Sequence, residues 1–164
     1  MEIRTATTED LGAISALEAV CFPPAEAASE AAIAARLRRY PDHFWLLWEG
    51  ERLLSFVNGM VTDQPDLTDE MYADAGLHRE DGRWQMIFGV VTDPAFQGRG
   101  LASHVMRRVI RDAREQGREG VVLTCKERLR GFYARFGFVD EGVSASEHGG
   151  VVWHQMRLRL EPRD

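Results

Sequence analysis

Apolar residues recur at helical spacing in four stretches of the chain. In residues 8–20 they fall three or four positions apart behind a run of capping and acidic residues, and a pair of prolines follows. In residues 26–40 the pattern turns Ile33 and Leu37 inward and Arg36 outward. The predicted helices are residues 8–20, residues 26–40, a long helix from Leu101 that stops at Gly117, and a short helix from Leu129 to Phe136.

Strands are predicted where apolar residues run together or alternate with polar ones. The run 86–91 is almost entirely apolar, which is typical of a strand buried on both faces. In the last strand Met156, Leu158 and Leu160 alternate with arginines, which indicates an antiparallel strand with one solvent-facing side. The order of elements, βααβββαβαββ, predicts a mixed α/β sheet. The predicted strands are one that starts at Ile3 and residues 44–48, 53–61, 86–91, 121–123, 138–146 and 150–160.

Composition indicates one globular domain over residues 1–164. The net charge of −6 argues against a nucleic-acid binder, and no apolar run is long enough to span a membrane. The two cysteines, Cys21 and Cys125, lie far apart without metal-ligand spacing, so we expect neither a zinc site nor a disulfide. The same spacing leads us to expect no resident metal. The chain also opens without a signal-peptide pattern, and we therefore expect a cytoplasmic protein.

The charge is concentrated in one segment. Residues 62–81 contain seven acids and one arginine. Residues 62–83 form a long excursion between predicted strands, and such excursions are often lids or binding loops. A loop that only keeps the protein in solution is the alternative. If the segment lies near a binding site, its acids would attract a cationic ligand.

A glycine-containing loop connects the strand 86–91 to the long helix. Gln97-Gly98-Arg99-Gly100 precedes the first turn of that helix, whose free N–H groups can hold phosphate. The spacing fits neither the dinucleotide-binding nor the P-loop motif, and a tight turn without a ligand is the other interpretation. Residues 97–118 carry six arginines against two acids. This charge favours an anionic ligand, although a solvated helix face would show the same charge. Among these arginines, Arg99 lies in the loop itself, where it could contact phosphate.

Gln97-Gly98-Arg99-Gly100-Leu101-Ala102 matches the Q/R-x-x-G-x-G/A signature of the GNAT superfamily of acyl-CoA-dependent N-acetyltransferases. The order of elements is also theirs, so the resemblance covers essentially the whole chain. Within the superfamily the chain looks most like the arylalkylamine N-acetyltransferases and their bacterial relatives. That likeness rests on Leu77-His78-Arg79, Leu123-Thr124-Cys125 and the segment from Phe132 to Phe138. It implies a GNAT-like mixed, mostly antiparallel, twisted sheet flanked by about four helices.

The resemblance also implies acetyl-CoA as the acetyl donor. In the family the loop amides hold the pyrophosphate, and the pantetheine arm lies along the preceding strand like an added strand. An amide near Val90 would stabilise the oxyanion, although Val90 and Val91 could equally serve as core packing. Carried over by position, the coenzyme-binding residues are Val90, Val91, Thr92, Gln97, Gly98, Arg99, Gly100, Leu101, Ala102, Ser103 and Phe132.

Acetyl transfer to an amine needs a proton donor and a proton acceptor. Tyr133 matches the family's tyrosine acid, which protonates the departing thiolate; an aromatic core residue is the alternative. Some family members use a glutamate between the first two helices, shortly after an aromatic residue, and Phe22-Pro23-Pro24-Ala25-Glu26 has that layout. Glu26 is therefore the candidate base, unless it is merely an acid favoured at a helix start. His148, beside two glycines in the last hairpin, is the second candidate, with a turn histidine as its alternative.

The acceptor pocket in this family is formed by the first two helices and their linker. Carried over, this predicts Cys21, Phe22 and Pro24 as substrate-binding residues, with Phe88 and His148. The leading interpretation is an acetyltransferase that acts by direct attack of a small-molecule primary amine, such as an arylalkylamine or polyamine, in a protein that is a monomer or homodimer. A protein or peptide acetyltransferase and a non-catalytic acyl-CoA-binding module are the alternatives.

Overall fold

The computed structural model describes residues 1–161, and within them the chain forms five α-helices and nine strands. The predicted order of the larger elements is confirmed, with a short strand and a short helix added. The helices are α1 (Leu11–Cys21), α2 (Glu30–Arg39), α3 (Asp69–Ala73), α4 (Leu101–Glu115) and α5 (Arg130–Ala134). The strands are β1 (Glu2–Thr5), β2 (Phe44–Glu49), β3 (Arg52–Asn58), β4 (Val61–Thr62), β5 (Trp84–Ile87), β6 (Gly89–Thr92), β7 (Gly120–Cys125), β8 (Val139–Val143) and β9 (His154–Arg159).

The strands form two sheets that meet at the middle of the molecule. One has the order β1-β2-β3-β6 and the other β4-β5-β7-β9-β8. Every pairing is antiparallel except β5 with β7. The mixed, mostly antiparallel α/β architecture expected from the sequence is therefore confirmed.

The prediction of one continuous strand over residues 86–91 is wrong at Phe88. There the chain leaves the second sheet, where β5 pairs with β7, and enters the first, where β6 pairs with β3. The Phe88 N–H donates to the Asn58 carbonyl at 2.7 Å, which ties the crossing point to the end of β3. Because β6 and β7 follow different sheets from this point, a cleft opens between them.

Helices cover both faces of the sheets. On one face α4 buries an apolar stripe against β2 and β3, and the Trp45 indole N–H donates to Asp112 of that helix at 2.9 Å. On the other face α1 and α2 contribute Ile14, Ile33 and Leu37 to a second apolar cluster. None of the helices in the described residues is long and apolar enough to cross a membrane.

The second helix differs from its prediction in two ways. It begins at Glu30, four residues late, because the Ser29 hydroxyl caps it by accepting from the Ala32 N–H at 3.1 Å. Glu26 lies in a separate turn closed by its own N–H to the Pro23 carbonyl. In addition, Arg36 is buried, not outward-facing. Its guanidinium donates to the side-chain oxygen of Asn58 and to the Tyr72 carbonyl, both from distant segments. These hydrogen bonds offset part of the cost of burying the charge.

The acidic excursion 62–83 is folded, since it contains part of β4, α3 and a 3₁₀ turn. Two of its acids neutralise buried bases: Asp66 pairs with Arg157 at 2.6 Å, and Glu80 pairs with Arg118 at 3.2 Å. These two acids of the segment therefore help to stabilise the fold. The pairing also removes Arg118 from the arginines available to an anionic ligand.

Candidate active site

A cavity of about 510 Å³ occupies the cleft between β6 and β7 and extends under α1, α2 and α3. It brings together seven residues that the sequence nominated: Cys21, Phe22, Glu26, Phe88, Val90, Tyr133 and His148. Pro24 is exposed, and its neighbour Pro23 lines the wall instead. Val91 points its side chain into the core with 1% of its surface exposed. Phe132 is half-buried on α5 and packs edge-on against its neighbour Tyr133.

The outer edge of β6 pairs with no other strand within residues 1–161. The Asp93 N–H donates to the Leu54 carbonyl, and the antiparallel register then turns the backbone groups of Val90 and Thr92 away from β3. The Cys21 thiol donates to the Thr92 carbonyl at 3.2 Å, in agreement with this orientation. An extended ligand could therefore pair with β6 at Val90, inside the cavity.

The glycine loop leads from β6 to the start of α4. Gly98 and Gly100 have φ of 79° and 75°, and within residues 1–161 no atom beyond their chain neighbours lies within 4 Å of a Cβ built on either of them. The glycines are therefore required by backbone conformation and leave open space above the loop. Within the described part of the chain no side chain caps the first turn of α4, so its N–H groups are available to an anion. The exposed Arg99 lies beside this turn, its guanidinium 5.1 Å from the Phe96 ring. Gln97, Leu101, Ala102 and Ser103 belong to the same loop and turn.

Tyr133 lies at the wall of the cavity on α5. Only 6% of its surface is exposed, and its ring packs edge-on against Phe132 and Phe138 at 5.0 and 5.9 Å. Burial, together with the nearby Cys125, raises the pKa of its hydroxyl. The phenol is therefore protonated at neutral pH and can donate a proton.

The two cysteines are protonated as well. Burial raises the pKa of Cys125 to about 11, and burial with the nearby Asp93 and Glu18 raises the pKa of Cys21. Since the thiolate is the nucleophilic form, neither residue is set up to attack a thioester.

The two bases nominated from the sequence lie next to each other. The Glu26 carboxylate lies 2.8 Å from the Lys126 ammonium, off the direction of a hydrogen bond, and that lysine is the single one in the chain. His148 places Nε2 2.9 Å from the Glu26 carbonyl. Because a carbonyl only accepts, Nε2 carries the proton, and Nδ1 keeps its lone pair in the neutral ring.

Aromatic rings form much of the remaining wall. Tyr72 stacks on His148 at 5.0 Å with an interplanar angle of 6°, and it lies 4.7 Å from the Phe88 ring. Burial raises the Tyr72 pKa to about 12 despite its hydrogen bond to Thr124. Sequence reasoning missed Tyr72 because α3 lay inside a segment predicted as a loop. The Trp153 N–H donates to the His148 carbonyl at 2.8 Å and holds the turn over the cavity.

Two buried charged residues on the cavity wall were also missed. Glu18 of α1 is 6% exposed and Arg36 of α2 is 5% exposed. Arg36 donates to Asn58 and to the Tyr72 carbonyl, both at 3.2 Å, and lies 4.8 Å from the Phe88 ring. Glu18 could have been noticed in the sequence, because a helix places it on the same face as Ile14.

The Acetyltransferase (GNAT) family model matches residues 11–138. A probable glucosamine 6-phosphate N-acetyltransferase 2 of Oryza sativa subsp. japonica is 38% identical over 73 residues, 44% of each chain. A chloroplastic serotonin N-acetyltransferase 2 of the same species is 28% identical over 159 residues, 96% of this chain and 69% of the relative. The solved GphF GNAT-like decarboxylase in complex with isobutyryl-CoA has a TM-score of 0.83 at 22% identity, covering 98% of this chain and 100% of that one.

Because the family match covers most of the chain, this protein belongs to the Acetyltransferase (GNAT) family. The likeness to the GphF enzyme shows the shared fold. The chain spans less than half of the length of the glucosamine 6-phosphate relative.

Proposed function

We propose that this protein is an acetyl-CoA-dependent N-acetyltransferase that acetylates a primary amine of a small molecule. The observation that carries this proposal is the cavity itself. It combines an unpaired strand edge at Val90, a protonated phenol at Tyr133, carboxylates and an aromatic wall in one cleft. Family membership supports the same reaction class.

The residues present fit acetyl-CoA. The uncapped first turn of α4, the glycines with positive φ and Arg99 form a seat for the pyrophosphate. The free edge of β6 suits the pantetheine arm, and Val90 would then meet the acyl end. When bound, the coenzyme supplies an acetyl group activated as a thioester.

The proposed chemistry is direct transfer in a ternary complex. The Val90 N–H would stabilise the oxyanion as the amine nitrogen attacks the acetyl carbon. Tyr133 would give its proton to the sulfur as the carbon–sulfur bond breaks. An alkylammonium has a pKa near that of lysine, about 10.4, so a base must first remove a proton from it. Glu26 and His148 are the bases nominated from the sequence. Protonated Cys21 and Cys125 argue against an acyl-cysteine intermediate.

The walls favour a compact amine with an aromatic or alkyl group. Phe22, Tyr72 and Phe88 provide apolar surface, which suits an arylalkylamine. The turn that holds His148 is linked to α3 by the Glu147 N–H, which donates to Asp69 at 2.9 Å. This link narrows the groove that a peptide backbone would need.

The remaining expectations form part of the same proposal. The protein would act as a monomer or homodimer on a small molecule. Free thiols at Cys21 and Cys125 support the cytoplasmic location suggested by the sequence.

The test compares two substrate panels at matched concentrations of acetyl-CoA. One contains arylalkylamines and polyamines, and the other contains short peptides with free N-termini or lysines. The proposal predicts free-thiol release and an acetylated product, identified by mass, with members of the first panel. Faster acetylation of the peptides would replace the small-molecule proposal with its protein-directed alternative.

A further inference from the structure

We propose that Glu18 is the carboxylate that binds the substrate ammonium and takes its proton, and this inference rests on the proposed acetyltransferase function. Glu18 lies on α1, at the cavity wall beside β6. Glu18 is not among the residues predicted from the sequence to act in catalysis.

The two carboxylate oxygens of Glu18 have different surroundings. Oε2 accepts the Ala28 N–H at 2.9 Å, which fixes the side chain. Oε1 accepts no hydrogen bond from residues 1–161, and it would lie 3.8 Å from a Cβ built on Gly89. Gly89 immediately precedes Val90, whose backbone groups face the cleft. The free oxygen is therefore close to the point where the acyl group and the amine must meet.

Burial and the neighbouring groups act in opposite directions on the pKa of the Glu18 carboxyl. Burial raises its pKa, and the Ala28 N–H, Arg36 and His148 act in the opposite direction. The charged and titratable groups that face it are thus Arg36 of α2 and His148 of the turn, with Cys21 on its own helix. A carboxylate with a raised pKa accepts a proton better than an exposed one.

Glu26 is less well placed for this role. It lies in direct contact with the Lys126 ammonium, which competes with a substrate cation. Glu18 instead has a guanidinium neighbour whose donors are partly occupied, since Arg36 donates to Asn58 and to the Tyr72 carbonyl. The remaining donor nitrogen, the buried Nε of Arg36, has no hydrogen-bond partner within the described chain.

The proton and electron pairs balance. One N–H bond of the ammonium breaks as its proton moves to Oε1 of Glu18, leaving the lone pair on nitrogen. That pair forms the new bond to the acetyl carbon while the carbonyl electrons move onto oxygen. When the carbonyl re-forms, the carbon–sulfur bond breaks to give a thiolate, which takes the proton of Tyr133. The bonded nitrogen then loses its second proton, which restores the Tyr133 hydroxyl and leaves the neutral amide. Glu18 then returns a proton to solvent.

The test uses Glu18→Gln, which keeps an oxygen for the Ala28 N–H. With an arylalkylamine that is an ammonium at the assay pH, we expect kcat/KM to fall by about 10²–10⁴-fold. With a fluorinated analogue whose amine is neutral at that pH, the loss should be at least about tenfold smaller, because no proton needs to be removed before attack. Glu26→Gln should have the smaller effect on both, and the exposed Glu30→Gln is the matched control.

The outcomes separate the inference from the proposed function. Equal losses with both amines would assign Glu18 a structural role and overturn the inference, as would a loss in Glu26→Gln that matches that of Glu18→Gln. If Glu18→Gln does not fold, the wild-type pH profiles decide. The fall of kcat/KM toward low pH should be present with the ammonium substrate and weak with the neutral analogue. An identical fall of kcat/KM with both amines overturns the inference. Wild-type protein that binds acetyl-CoA but acetylates no amine would instead remove the proposed function, and the role of Glu18 with it.

Discussion

Replacing Tyr133 with Phe removes one hydroxyl and leaves the ring. The ring is 94% buried and is held edge-on by Phe132 and Phe138, so its packing should survive. The free energy of unfolding should therefore change by less than about 1 kcal/mol. If the hydroxyl is the proton donor, kcat should fall by about 10²–10⁴-fold. At about 1.4 kcal/mol per factor of ten, this is an increase in the activation barrier of about 3–5 kcal/mol.

The assay measures thiol release at saturating amine, together with acetyl-CoA affinity and thermal melting. Tyr40→Phe is the matched control, since Tyr40 is buried away from the cavity and its hydroxyl has no partner within residues 1–161. That variant should keep its kcat and lose no stability, because it deletes an unsatisfied polar group. A Tyr133→Phe enzyme with kcat within about threefold of the wild type would refute the reasoning about the acid.

Three further predictions concern the fold and the coenzyme loop. Gly59→Ala should lower the free energy of unfolding by about 3 kcal/mol in urea, because a Cβ there would lie 1.8 Å from a backbone carbonyl oxygen. Gly12→Ala, on the open face of α1, should instead raise the free energy of unfolding by about 0.5–1 kcal/mol, because alanine loses less backbone entropy in a helix. Arg99→Ala should weaken acetyl-CoA binding by about tenfold in calorimetric titration, with a shallower dependence on salt. The hydrogen bond from Arg4 lowers the pKa of Asp10, so the stability that ionised Asp10 contributes is present above the ordinary pKa of an aspartate and is lost as pH falls. In Asp10→Asn the melting temperature should therefore depend less on pH between about pH 5 and pH 3 than in the wild type. A pH dependence identical to that of the wild type would contradict this.

Much of the fold could be read from residue spacing, and the exceptions have physical causes. The apolar pattern of 86–91 correctly predicted buried extended chain. It could not reveal the break at Phe88, because apolar residues suit either sheet and the crossing depends on contacts with β3. The late start of α2 follows from the Ser29 cap, a local signal that competed with the helical pattern after the prolines.

The candidate site was predictable where chemistry is encoded locally. The glycine loop and Tyr133 belong to short motifs, and their positions followed from the order of elements. Arg36 was missed because an arginine on a surface helix usually points outward, and its partners Asn58 and Tyr72 come from segments far along the chain. The segment 62–83 was predicted to be a charged loop. In the structure two of its acids form ion pairs with arginines far along the chain, Glu80 with Arg118 and Asp66 with Arg157.

The most direct test of the central claim is amine-dependent release of free thiol from acetyl-CoA by the wild-type protein. The account predicts release that rises with arylalkylamine concentration to saturation, with one acetylated amine formed for each thiol. Protein that binds acetyl-CoA at the glycine loop but releases no thiol with any amine would contradict it.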